Sequence, residues 1–341
     1  MTQRCSPSSI SKRWRSQPKP SFALARATIG GLTVACAAIA SGWLPTTAQP
    51  DRSPLSWSPR AINCRAAELE PRMNVAYGTH PRQVLDFYPA KSDKPTPIVF
   101  YIHGGGWRNG DKKTNPAAYL AKGISVVAIN YRYTQNGVEE KVEPPVKAPL
   151  SDAARALQFV RSKAAEWNLD KTRVGATGGS AGGCSSLWLA FHPDLADPKS
   201  EDPIARESTR LSCAAVNGAQ VSLDPKELRE WMPNYSYGAH AFGLGNLNVV
   251  MEQREKVMPW IKEYSPIEHV SSDDPPIAMF YGGETPVIGS SPKDPTHSGV
   301  MGIKLAERLK AANVDVVLVH PGQPHPQYKN AADYLIDRLL K

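Results

Sequence analysis

Cysteine is scarce in this chain, with five in 341 residues. Two of them, Cys5 and Cys36, fall in the first 48 residues, leaving Cys64, Cys184 and Cys213 for the rest. Three cysteines allow at most one disulfide, so a cross-linked scaffold is excluded and the chain must rely on its own core. If a bridge forms, Cys64 with Cys213 is the expected pair, because Cys184 falls in a segment that reads as buried helix. An excess of one charge is also missing from most of the chain. The net charge is +8, but residues 1–48 hold Arg4, Lys12, Arg13, Arg15, Lys19 and Arg26 with no acidic residue, leaving 34 Lys+Arg against 32 Asp+Glu. No basic stripe with interleaved aromatics is present, which argues against a nucleic-acid partner. Beyond the leader no run is apolar enough to span a bilayer, and no internal repeat is evident. Charged residues at 21% and apolar residues at 41% indicate a globular chain large enough for a sizeable core.

The leader itself reads as an export signal. A basic stretch to Arg26 is followed by an apolar one, Ala27 to Trp43, and then by Thr46-Thr47-Ala48-Gln49 with a cleavage point after Ala48. The apolar stretch is interrupted by Gly30, Gly31, Ser41 and Gly42, which disfavours the alternative of an uncleaved anchor. The expectation is a periplasmic or extracellular protein with no membrane contact beyond residues 1–48. Residues 49–71, rich at first in Pro, Ser and Arg, read as a linker, and 72–341 as the working domain.

Within that domain strands and helices alternate. Pro97–Ile102, Ile124–Tyr131, Arg173–Thr177, Leu211–Val216, Pro276–Tyr281 and Val314–Val319 read as strands. Leu150–Trp167, Ala181–Leu189, Gly302–Ala312 and Ala331–Leu340 read as helices. This rhythm implies an α/β fold with a mainly parallel central sheet flanked by helices. Residues 222–265 break the rhythm and carry Trp231, Tyr235, Tyr237, Phe242, Trp260 and Tyr264. An insertion of that length serves as a lid over a site or as a peripheral packing element, and both readings stay open.

Two glycine motifs carry the chemistry. Gly178-Gly179-Ser180-Ala181-Gly182 is G-x-S-x-G between a strand and a helix, the context of a nucleophile elbow. The sharp turn strains the serine and demands small neighbours, while the helix N-terminus favours a developing anion. Alone, the motif could equally be a glycine turn with a solvent-facing serine. The second motif, His103-Gly104-Gly105-Gly106-Trp107, follows a strand and leaves backbone N–H groups free to turn inward. It lacks the Lys-Ser/Thr of a phosphate-binding loop. Together the motifs predict an oxyanion hole from the N–H groups of Gly105, Gly106 and Ala181, with His103 orienting the loop.

A serine nucleophile needs a base, and in this chain order the base comes late, after an acid. His325, in Pro321-Gly322-Gln323-Pro324-His325 between the last strand and the last helix, is the expected base, with His320 as its rival. The acid should follow Ile277–Tyr281. Asp294, 31 residues before His325, is preferred over Glu284, and His297 reads as a structural residue of the same loop. No metal or organic cofactor is required.

The segments HGGGW (103–107), NYRYTQ (130–135), LSDAARALQFVRSKA (150–164), GGSAGG (178–183) and SPIEHVSSDDPPIAMFYGG (265–283) resemble the esterase/lipase branch of the α/β-hydrolase superfamily. They are similar to bacterial acetyl-xylan and feruloyl-type carbohydrate esterases and to hormone-sensitive-lipase-like esterases. The resemblance covers about residues 80–340. It implies the α/β-hydrolase fold, a serine carboxylesterase, and Ser180, Gly105, Gly106, Ala181 and His325 as site residues acting on a small-molecule or polysaccharide ester. Two positions depart from the family pattern: Thr285 stands where an Asp is expected, and Pro324 replaces a glycine before His325. The alternatives are a decayed, non-catalytic binding protein of the same fold, and a serine peptidase, for which residues 49–96 are too short to supply the usual propeller.

Overall fold

The computed structural model describes residues 70–341. The leader, most of the linker and Cys64 therefore lie outside the described residues. The sheet is built from β1 (Arg72–Ala76), β2 (Val84–Tyr88), β3 (Thr96–Ile102), β4 (Ser125–Ile129), β5 (Leu169–Gly179), β6 (Cys213–Asn217), β7 (Ile277–Phe280) and β8 (Val316–Val319). Their spatial order is β1-β2-β4-β3-β5-β6-β7-β8. The pairings from β4 through β8 are parallel, and β1 and β2 join antiparallel at one edge.

The central strands are apolar on both faces because both are covered. Side chains alternate with the strand period of two. In β3, Ile98, Phe100 and Ile102 enter one hydrophobic cluster, and Val99 enters the other. Likewise Ala214 and Val216 of β6 face one way, Cys213 and Ala215 the other. Helices α1 (Ala117–Leu120), α2 (Thr134–Glu139), α3 (Lys147–Ser162), α4 (Ala181–Phe191), α5 (Pro225–Trp231), α6 (Leu247–Glu252), α7 (Arg254–Tyr264), α8 (Gly299–Ala311) and α9 (Ala331–Leu340) complete the described fold. Buried residues of α3, α4 and α8 join the larger cluster, and Tyr334, Leu335 and Leu339 of α9 the smaller. Among the described residues no helix is long and apolar enough to cross a membrane.

Three features differ from, or add to, the sequence reading. Strands β1 and β2 were not foreseen, because β2 carries a buried charge, Asp86, and β1 is largely exposed. Cys213 is a buried thiol within β6, pushed up to about 12 by burial, and its expected partner Cys64 lies outside the described residues. Residues 222–265 form three short helices with a 3₁₀ turn at Ala239–Phe242, and Leu228, Met232, Tyr235, Phe242, Val250 and Ile261 are buried in the main core. The insertion thus adds buried side chains to the main core, and its 3₁₀ turn also reaches the loop after β3, where His240 meets Gly106 O at 2.8 Å.

From β3 the chain passes to β4 on one side, then crosses to β5 on the other. The carboxyl ends of β3 and β5 thus flank a reversal of strand order, where open α/β sheets place their ligands.

Candidate active site

Ser180 sits at that reversal, between the end of β5 and the start of α4. Its backbone lies at φ 53° and ψ −126°, a region that costs a non-glycine residue about 1–3 kcal/mol. The strain is held by its surroundings. Ser180 N–H donates to Asn217 O of the neighbouring β6 at 2.9 Å. A Cβ at Gly182 would stand 2.1 Å from Ile102 O, and one at Gly178 would stand 2.4 Å from the same atom. Only glycine lets α4 approach β3 this closely, so the serine is pressed out of the sheet top.

The loop after β3 lies alongside. Gly105 and Gly106 adopt φ of 97° and 62°, and among the described residues their N–H groups donate to no protein group. The N–H of Ala181, first residue of α4, is free by helix geometry. The loop is pinned from three sides. Trp107 is buried and donates Nε1–H to Ser185 Oγ of α4 at 2.9 Å. Tyr131 donates its hydroxyl to His103 O at 2.7 Å, and its ring stacks on His103 at 4.3 Å. His240 donates Nε2–H to Gly106 O at 2.8 Å. Burial pulls His103 down to about 4 and lowers His240, so both rings are neutral near pH 7. His103 is a buried loop support, as expected.

The partner of Ser180 is not the residue the sequence pointed to. His297 Nε2 lies 2.9 Å from Ser180 Oγ, and His297 Nδ1 lies 2.7 Å from Asp294 Oδ2. One tautomer satisfies both contacts: Nδ1–H donates to the carboxylate while Nε2 accepts the serine hydroxyl. The two residues reach the same side because a 3₁₀ turn, Pro295–His297, follows Asp294 and brings positions i and i+3 together. Of the two candidate acids it is Asp294 that meets a histidine beside Ser180, and that histidine is His297, read from the sequence as a structural residue, not His325. His325 is engaged elsewhere. Its Nδ1 accepts the N–H groups of Gln327 and Tyr328 at 3.2 and 3.1 Å, and its ring stacks on Tyr328. His320 is turned toward Pro321 O. Glu284 lies near Lys293 on the wall of the adjoining cavity. The signal that could have revealed His297 is the Asp294-Pro295-Thr296-His297 spacing itself.

Two further residues were missed. Gln220, buried in the loop after β6, donates Nε2–H to Thr296 O at 2.8 Å and stands 3.5 Å from Ser180 Oγ, tying the Asp294–His297 turn to the serine. The Tyr237 hydroxyl lies over Gly106, where a Cβ would come within 2.0 Å of it. Two open cavities are walled by residues that touch this assembly: one, of about 560 Å³, includes Asp294 and His297, and the other, of about 500 Å³, includes Tyr237 and His240.

A family model described as BD-FAE matches residues 85–292. The chain belongs to the BD-FAE family. The matched stretch contains Ser180 and the loop at 103–107, and ends before Asp294 and His297. "Probable carboxylic ester hydrolase LipM" of Mycobacterium tuberculosis is 32% identical over 192 residues, which is 54% of this chain and 40% of LipM. The chain spans less than two thirds of the length of the curated relatives it matches. Among solved structures, a truncated carbohydrate esterase from gut microbiota aligns with a TM-score of 0.61 at 20% identity, over 80% of this chain and 97% of its own. An acetyl ester-xyloside bifunctional hydrolase from Caldicellulosiruptor lactoaceticus aligns with a TM-score of 0.53 at 25% identity, over 71% and 78%. This BD-FAE family member thus has the α/β-hydrolase fold expected from its motifs and resembles the carbohydrate esterases.

Proposed function

We propose that this BD-FAE family member is an exported serine carboxylic-ester hydrolase acting on short acyl or feruloyl esters of carbohydrates. The observation that carries the reading is the unbroken chain Asp294–His297–Ser180, with hydrogen-bond distances of 2.7 and 2.9 Å, beside a glycine loop with free N–H groups. Ser180 Oγ attacks the ester carbonyl carbon while His297 Nε2 takes its proton. Asp294 holds the imidazole in the required tautomer and stabilises the imidazolium. The tetrahedral oxyanion is held by the N–H groups of Gly105, Gly106 and Ala181. Collapse expels the alcohol, which receives the proton from His297 and leaves an acyl-Ser180 ester. Water, deprotonated by His297, then releases the acid and restores the serine.

The carbohydrate alcohol is favoured by the likeness to a carbohydrate esterase and an acetyl ester-xyloside hydrolase, and by the open cavity walled by Asp294 and His297, which suits a bulky leaving group. The acid within reach of a histidine speaks against a decayed site. The test is hydrolysis of a p-nitrophenyl acetate, butyrate and ferulate panel and of acetylated xylan, with Ser180→Ala beside the wild type. Turnover that vanishes in Ser180→Ala is expected. A folded wild-type protein without turnover on any of these would overturn the reading.

A further inference from the structure

At the opposite end of α4 from Ser180, about 17 Å away along an 11-residue helix, a second set of ionisable groups converges. His192 caps the C-terminus of α4, Glu263 lies in the last turn of α7, and His269 ends a 3₁₀ turn at Pro266–His269. Each offers one ligand atom, and these atoms all lie within 4.8 Å of one another. We propose that His192, Glu263 and His269 form a binding site for a divalent transition ion of the zinc type. This site is independent of the ester chemistry.

The hydrogen bonding of the rings points to a cation. His192 Nδ1 lies 2.8 Å from Pro193 O, and its Nε2 lies 3.2 Å from Glu263 Oε1. Both neighbours are acceptors, and a neutral imidazole carries one N–H. With that N–H on the carbonyl, a nitrogen lone pair meets a carboxylate, an arrangement that calls for a cation between them. A proton would serve that pair alone, but a second ring stands beside it. His269 donates Nε2–H to Glu263 O at 2.7 Å, which leaves its Nδ1 bare. The two rings lie 4.8 Å apart. Each histidine therefore has its distal nitrogen fixed by a backbone carbonyl, the support that metal-binding imidazoles ordinarily have. The Glu263 carbonyl is itself fixed, since it also accepts Trp188 Nε1–H at 2.9 Å.

The helix ends agree. A carboxylate in the last turn of a helix meets the partial negative charge there unfavourably, and here Glu263 of the last turn of α7 also touches Trp188 and His192 at the C-terminus of α4. A dication relieves both. Two imidazole nitrogens with one carboxylate oxygen suit Zn²⁺ and its neighbours rather than Ca²⁺ or Mg²⁺, which prefer all-oxygen shells. Ligands about 2.0–2.1 Å from a tetrahedral ion stand roughly 3.3 Å apart. The His192–Glu263 edge has this length already, and no edge exceeds 4.8 Å, so small rotations of the Glu263 side chain and the imidazole rings complete the set. The fourth position would hold water. The consequence is mechanical: the ion would clamp the end of the 222–265 insertion to the helix that carries the nucleophile.

The test is calorimetric titration of the full chain with Zn²⁺ after chelator treatment, together with the shift in thermal midpoint. One saturable site is expected, weakened at least tenfold in His192→Gln and in His269→Gln but retained in His297→Ala, which separates it from the serine site. Glu263→Gln, at an exposed side chain, supplies the same readout if His192→Gln fails to fold. Absence of a saturable site overturns the proposal, as does binding undiminished in His269→Gln and Glu263→Gln, or binding lost in His297→Ala.

Discussion

Replacing each of two histidines by alanine decides which one serves Ser180. His297→Ala removes both links of the relay, the 2.9 Å contact to the serine and the 2.7 Å contact to Asp294. A positioned general base contributes about 10²–10⁴ in rate, or roughly 2.7–5.4 kcal/mol of barrier at 1.36 kcal/mol per decade. A drop in kcat/KM of that size on p-nitrophenyl acetate is expected, with circular dichroism unchanged because the ring is partly exposed. Asp294→Asn should cost less than the roughly 10⁴ seen for a buried triad acid, about 10², because this carboxylate is 63% exposed and water screens it. His325→Ala removes only a ring that accepts two backbone N–H groups of its own turn, and activity should stay within about threefold of wild type. The opposite pattern, with His325→Ala inactive and His297→Ala nearly normal, would refute the reasoning and return the base to the β8–α9 loop.

Acid should weaken the fold through His103. Burial lowers its folded value to about 4 from an ordinary 6.5, so between those limits the unfolded chain binds the extra proton and stability falls as pH falls. Urea midpoints should show a loss of about 2 kcal/mol from pH 7 to pH 5 attributable to this group, and His103→Gln should flatten that slope; an unchanged slope would count against it. At the elbow, Gly182→Ala should destabilise by roughly 1–3 kcal/mol and depress turnover, because its Cβ meets backbone oxygens of Ile102 and His103. Gly282→Ala, with open space around it, should do neither, and equal behaviour of the two variants in denaturation and rate assays would contradict the packing account.

Much of the fold was legible because the central strands and their helices are long runs whose period reports burial directly: Thr96–Ile102 and Ala331–Leu340 fall where the apolar pattern put them, while the helix expected at Leu150–Trp167 is present but spans Lys147–Ser162. The serine and its oxyanion loop were legible for a different reason. Their chemistry needs small residues at consecutive positions of one sharp turn, so each is written in a single short segment. Strand β1 at the edge and its neighbour β2 carry too little of a two-residue pattern to be seen, since β1 is largely exposed and Asp86 of β2 is buried against Lys112 where an apolar residue would be expected.

What the sequence by itself determined, then, is the layered α/β architecture, the strained serine at the strand-to-helix turn and the glycine loop that faces it. Tertiary structure decided what depends on contacts between distant segments: that Cys213 is a buried thiol, that residues 222–265 pack into the core, and that His297 rather than His325 meets Ser180. The physical reason in the last case is that a histidine's reach is set by the path of its loop. The 3₁₀ turn after Asp294, tied down by Gln220, carries His297 to the serine, while the turn after β8 uses the nitrogen of His325 to satisfy its own backbone.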